Sequence, residues 1–189
     1  QLLLAAGKLI WEEIFFPDHL EPITTVLKRM QVDCEVDDDR LLLRPSSPVG
    51  VRQITTAPWP GFPSDMVSLI SVLATQATGR TLIHDWMYEL RLFALEQLSG
   101  MGANLFLCDP HRMIVDGPAR LTGQTLDSRD LRSGMALIAA ALAATGTSRI
   151  HPLYYAQLYK RCWLVVHCTP SCFRERILTQ HEKLTFRRS

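Results

Sequence analysis

The sequence predicts an α/β fold assembled from repeated small α/β units, and three observations carry that prediction. First, Gly7-Lys8-Leu9-Ile10, Gly79-Arg80-Thr81-Leu82-Ile83 and Gly146-Thr147-Ser148-Arg149-Ile150 resemble one another, and each follows an apolar, Ala-containing run. Second, the stretch from Leu27 to Val36 matches the stretch from Leu98 to Leu107. Third, runs with helical periodicity alternate with short apolar runs bounded by turn residues, the pattern of sheets covered by helices. The period is about 70 residues, too long for a solenoid, so each unit is a module in its own right. The units are read as about 1–56, 57–126 and 127–160, the last incomplete, with 161–189 as a divergent basic tail.

One unit predicts the following elements. A helix over about 64–78 ends near Gly79, which suits a left-handed cap, and a strand over 81–84 follows. A second helix over about 89–101 carries Leu92, Leu95 and Leu98 on one face and is capped by Gly102. Strands over 104–108 and 112–115 then pair across a turn at Asp109-Pro110. Another helix over about 131–144 opens the third unit, which loses the repeat near Gln157.

Bulk properties exclude several classes. A net charge of +1 gives no global field for nucleic acid or an anionic membrane. The longest apolar run, residues 135–144, is too short to span a bilayer, and no secretory signal is recognisable. The chain begins with Gln1 in an apolar run without an initiator Met, which reads as a start inside an element and hence as part of a longer chain. The cysteine count of 5 is odd, and Cys34 and Cys108 are isolated, so reduced thiols and a cytoplasmic location are expected. The spacing of Cys162, His167, Cys168, Cys172 and His181 fits no standard zinc finger, so no metal is expected, and no cofactor loop is present. The basic residues after Arg161 read as a solvated tail, with weak phosphate binding as the lesser alternative.

Three places carry candidate chemistry. Pro58-Trp59-Pro60-Gly61-Phe62-Pro63 is a stiff loop that ends in Ser64-Asp65 at a helix start. Asp65 is either a helix cap or a carboxylate presented to accept a proton. Arg91, near the start of the next helix, opposes the helix dipole, so it either pairs with Glu89 or another carboxylate or meets an anion. Arg132, in Asp130-Leu131-Arg132-Ser133, again stands in a first turn. Backbone N–H groups and guanidinium groups at helix starts together make anion sites.

The Pro-Gly-Phe-Pro-Ser-Asp loop, Glu89-x-Arg91, Leu98-x-x-Met101-Gly102-Ala103 and Asp130-Leu131-Arg132-Ser133 before an Ala-rich helix resemble the enolpyruvyl transferases that act on UDP-N-acetylglucosamine. The resemblance spans about residues 2–159. It implies an inverse α/β barrel domain built around a pseudo-threefold axis, here the C-terminal half of a two-domain enzyme. It also implies transfer of an enolpyruvyl group from phosphoenolpyruvate to the sugar 3'-hydroxyl, with release of phosphate, in peptidoglycan synthesis. Asp65 would bind the hydroxyl and act as its base. Ser64 and Met87 would line the nucleotide-sugar site, and Arg91 and Arg132 would hold phosphate and carboxylate charge. The partners implied are UDP-N-acetylglucosamine, phosphoenolpyruvate and an N-terminal domain that supplies a lysine, further arginines and a loop cysteine. Two departures stand out: Ala156-Gln157-Leu158 occupies the place of the family's third-unit Asp-Arg pair, and Leu90 replaces an asparagine. With half of the cleft elsewhere, the isolated chain is expected to be inactive. The competing reading is a non-catalytic α/β module with at most weak nucleotide-sugar binding.

Overall fold

The computed structural model describes residues 9–11, 20–37, 40–89, 91–128, 131–151, 163–169 and 172–178. The described elements form three sheets. The first holds β1 (Leu9–Trp11), β2 (Cys34–Asp37) and β3 (Arg40–Leu43) in the order β1-β3-β2, all antiparallel. Helix α1 (Glu21–Arg29) accompanies it. Pro22 and Glu21 at its start, and Lys28 and Arg29 at its end, suit the preferences of the two helix termini.

The second sheet holds β4 (Gln53–Thr55), β5 (Gly79–His84), β6 (Asn104–Asp109) and β7 (Arg112–Gly117) in the order β4-β5-β7-β6. β4 and β5 are parallel, so they need a crossover. A 3-10 turn (Ser64–Met66) and helix α2 (Val67–Gln76) provide it. A second 3-10 stretch (Arg91–Glu96) runs into the short helix α3 (Gln97–Gly100). The continuous helix expected over 89–101 is therefore mostly 3-10. Leu92, Leu95 and Leu98 repeat every third residue, which is the 3-10 period, and all three are fully buried. Each such burial stabilises by about 1.5–3 kcal/mol.

The third sheet holds β8 (Thr125–Asp127), β9 (Gly146–His151), β10 (Trp163–Thr169) and β11 (Cys172–Leu178) in that spatial order. Helix α4 (Leu131–Ala143) makes the parallel crossover from β8 to β9. The segment read as a basic tail thus contains two strands, with β10 antiparallel to both β9 and β11. The Trp163-Leu164-Val165-Val166 run has strand character, but it stands where the repeat calls for a helix, so its pairing was not legible. The connection also differs from the second unit. There the second strand of the hairpin, β7, lies beside β5; here the first, β10, lies beside β9.

The repeat is visible at atomic detail. Val32 N–H donates to Leu27 O at 2.9 Å, and Ala103 N–H to Leu98 O at 2.9 Å, each closing a helix end over a left-handed residue. Those residues are Gln31 (φ 60°) and Gly102 (φ 99°). Gly50 N–H donates to Thr78 O at 2.9 Å, and Gly123 N–H to Thr145 O at 2.8 Å. Thr56 N–H to His84 O and Ser128 N–H to His151 O, both 3.0 Å, register the parallel strand pairs identically.

Successive units are stitched side chain to backbone. Gln97 Nε2 donates to Asp127 O at 2.8 Å while Asp127 N–H donates to Gln97 Oε1 at 2.7 Å. The core lies between the helices and the inner sheet faces. α2 packs on α4, in which Ala136, Ala140 and Ala141 are buried. Thr81, Ile83, Met113 and Val115 fill the inner face of the second sheet. Among the described residues no helix is long and apolar enough to cross a membrane.

Candidate active site

The stiff loop closes on itself before the first 3-10 turn. Gly61 N–H donates to Pro58 O at 2.7 Å and Ala57 N–H to Phe62 O at 3.0 Å. A Cβ on Gly61 would stand 2.3 Å from the Ala57 Cβ, so the loop needs glycine there. Phe62 is buried and anchors the loop to the core. Ser64 and Asp65 leave the loop in opposite senses: Ser64 is buried, whereas the Asp65 side chain is 61% exposed. The loop flanks a cleft of about 310 Å³ lined by Pro22, Ala57, Trp59, Gly61 and Pro63.

The Ser64 hydroxyl donates to Asp85 Oδ2 at 2.7 Å and accepts from Arg91 Nη1. Arg91 Nη1 also stands 3.6 Å from Asp85 Oδ2 and 3.7 Å from Asp65 Oδ1. The Arg91 guanidinium is therefore placed between a fully buried carboxylate and an exposed one, with its own side chain only 9% exposed. The Tyr88 ring covers it, 4.1 Å from the guanidinium carbon, in cation–π geometry.

The structure brings Ser64, Asp65 and Arg91 together. The plain alternative for Arg91 holds in its wider form: it pairs with carboxylates other than Glu89. Pro63 occupies the cap position of the 3-10 turn and Met66 that of α2, and Asp65 stands within the first turn of the 3-10 stretch. The carboxylates within ion-pair distance of Arg91, among the described residues, are Asp65 and Asp85 rather than Glu89. Met87 lies on the same segment, partly exposed, with its N–H donating to Asp85 Oδ1 at 3.3 Å. Arg132 stands in the first turn of α4 as expected, and its side chain lies outside the described residues, as do Asp130 and Leu90. By backbone position Asp65 and Arg132 are equivalent, each fourteen residues before the glycine that opens the following strand. The replaced third-unit pair and Arg161 also fall outside the described residues.

Sequence reasoning missed Asp85. It is fully buried and accepts from Thr56 Oγ1 at 3.0 Å as well as from Ser64. One signal was available. Thr81 and Ile83 face inward in β5, and the alternation carried two residues further points Asp85 inward as well. A carboxylate on an inward position requires donors, which makes it a site candidate.

Comparison with known proteins identifies the family. The family described as EPSP synthase (3-phosphoshikimate 1-carboxyvinyltransferase) matches residues 4–158. A Treponema denticola protein named UDP-N-acetylglucosamine 1-carboxyvinyltransferase is 43% identical over 127 residues, covering 67% of this chain and 27% of the relative. A Borreliella burgdorferi protein of the same name is 38% identical over 146 residues, covering 73% of this chain and 34% of the relative. This chain thus spans about a third or less of the length of these relatives. The crystal structure of the enolpyruvyl transferase NikO from Streptomyces tendae superposes with a TM-score of 0.66 at 29% identity, covering 75% of this chain and 34% of that one. An EPSP synthase from Acinetobacter baumannii, at 14% identity and a TM-score of 0.57 over 96% of this chain and 43% of that one, shares the fold. Matched by that family over most of its length and by its solved structures in fold, the chain belongs to the enolpyruvyl transferase family of α/β enzymes that includes EPSP synthase.

Proposed function

We propose that this chain serves the transfer of an enolpyruvyl group from phosphoenolpyruvate to the 3'-hydroxyl of UDP-N-acetylglucosamine, as half of a two-domain enzyme of peptidoglycan synthesis in the cytoplasm. The observation that supports this best is the placement of an exposed carboxylate, Asp65, on a rigid loop beside an arginine already held by buried partners. The names of the relatives point to the same substrates.

In this reading the sugar oxygen bonds to C2 of phosphoenolpyruvate, its proton goes to Asp65, and phosphate leaves. A carboxylate can take that proton only if it reaches the substrate while ionised. Asp65 meets the first condition through its exposure, 3.7 Å from the Arg91 guanidinium. Arg91 and Arg132 hold phosphate and carboxylate charge, for which guanidinium groups are well matched. Ser64 acts mainly through the backbone, because its hydroxyl is committed to Asp85 and Arg91. Met87 lines the nucleotide-sugar side. The remaining acid chemistry belongs to a companion N-terminal domain. The unit boundaries lie near 56 and 126, and the third unit runs past 160 because β10 and β11 join its sheet.

Phosphate release from phosphoenolpyruvate tests this, with the chain alone and with the chain joined to the N-terminal part of the Treponema denticola relative. Release that requires UDP-N-acetylglucosamine and appears only in the joined protein supports the proposal. A joined, folded protein that binds neither substrate favours the non-catalytic module instead.

A further inference from the structure

Asp85 gathers more of the site than any residue the proposed chemistry uses. Its carboxylate accepts from Thr56 at the end of β4, from Ser64 in the loop and from the Met87 main chain. Its backbone is tied to the β6–β7 turn: Asp85 N–H donates to His111 O at 2.8 Å, and the Asp85 carbonyl lies 2.9 Å from His111 Nδ1. A carbonyl only accepts, so His111 Nδ1 carries the proton in that bond. Two segments distant in sequence are thereby held by one fully buried side chain, and a third by its main chain.

We infer that Asp85 is a positioning residue, pinning Ser64 and the Arg91 guanidinium so that Arg91 meets Asp65 at a fixed separation. An ionised carboxylate offers only acceptors, and everything facing this one is a donor. The pin uses a single nitrogen: the Arg91 contacts to Ser64, Asp65 and Asp85 all run through Nη1. The guanidinium is planar and rigid, so fixing Nη1 beneath the Tyr88 ring sets the direction of Nε and Nη2 as well. Those donors then point one way before any ligand arrives, which is the preorganisation that anion binding needs. Because Asp65 follows Ser64 directly, the same pin fixes the segment that presents the exposed carboxylate. The purpose of this arrangement rests on the function proposed above, whereas the pin itself does not.

The test is side-chain nitrogen spectroscopy of Arg91 in the uniformly labelled chain, without ligand, where slow guanidinium rotation resolves the two Nη signals. In the unmodified chain Arg91 is expected to show resolved Nη signals. Asp85→Asn is close in size but turns an NH₂ toward donors, removing the ion pair to Arg91 and the acceptor that orients Ser64, and it should speed the rotation by roughly tenfold. Ser64→Ala removes the hydroxyl that accepts from Arg91 Nη1 and should speed the rotation as well. Freely rotating Arg91 in the unmodified chain overturns the inference even if Asp85→Asn does not fold. Slow rotation that persists in a folded Asp85→Asn chain overturns it too. Failure of the joined enzyme to release phosphate would count against the proposed function and leave this result standing.

Discussion

Replacing Arg91 by Met removes a guanidinium that faces the fully buried Asp85 at 3.6 Å. Met keeps much of the apolar stem, so lost packing contributes little. Asp85 keeps its donors from Thr56, Ser64 and the Met87 backbone, at 3.0, 2.7 and 3.3 Å. Removing one partner of a buried ion pair costs about 3–5 kcal/mol when nothing else compensates. With three donors left, the lower end applies, about 3 kcal/mol. Asp85→Asn leaves Arg91 with Asp65 at 3.7 Å and turns an NH₂ toward donors, and about 1–3 kcal/mol is expected. The double variant removes both charges, so the two costs should not add, and a coupling of about 1–2 kcal/mol should appear. Urea unfolding of the four proteins, followed by far-UV circular dichroism, gives all the terms of the cycle. Additive costs, or an Arg91→Met loss below about 1 kcal/mol, would refute the view that Asp85 and Arg91 form a coupled buried pair.

Other outcomes follow from local geometry. Gly61→Ala places a Cβ 2.3 Å from the Ala57 Cβ and 2.9 Å from Pro58 O, so a stability loss of about 1–3 kcal/mol in the same urea assay is expected. Gln31→Gly should raise stability by up to about 1 kcal/mol, because Gln31 holds φ 60° at the position where the second unit has Gly102. The backbone N–H of His111 first, and then Arg112, hold the Asp109 carboxyl below the usual carboxylate range. A depressed carboxylate stabilises the fold above its unfolded value, and that contribution is lost as pH falls through its lower folded value. Asp109→Asn should therefore flatten the acid limb of an unfolding-versus-pH curve, and an unchanged limb would contradict this. Burial pushes the Cys34 thiol up, whereas Cys108 is exposed. Peptide mapping after brief thiol labelling at mildly alkaline pH should find Cys108 modified well before Cys34.

The sequence revealed the repeat because cap chemistry is local. A left-handed residue after a helix and a register-setting glycine before a strand leave recognisable residues at Gly79, Gly102 and Gly146, each with positive φ. Gln31 fills the same role without looking like it. The convergence of Ser64, Asp65 and Arg91 was legible only through family motifs, because it depends on the β4–β5 crossover bringing distant segments together. Asp85 was hidden for a related reason. Its donors Ser64 and Thr56 come from 21 and 29 residues away, and a lone aspartate after a strand looks like a turn residue. β10 and β11 escaped because they follow a reversed hairpin order rather than the pattern of the second unit.

The most direct measurement is phosphate release by the joined protein with Asp65 intact and with Asp65→Asn. If Asp65 takes the proton from the sugar hydroxyl, the substitution should lower kcat by about 10²–10⁴-fold while UDP-N-acetylglucosamine still binds. An Asp65→Asn protein that releases phosphate at an undiminished rate would contradict that role for the loop carboxylate.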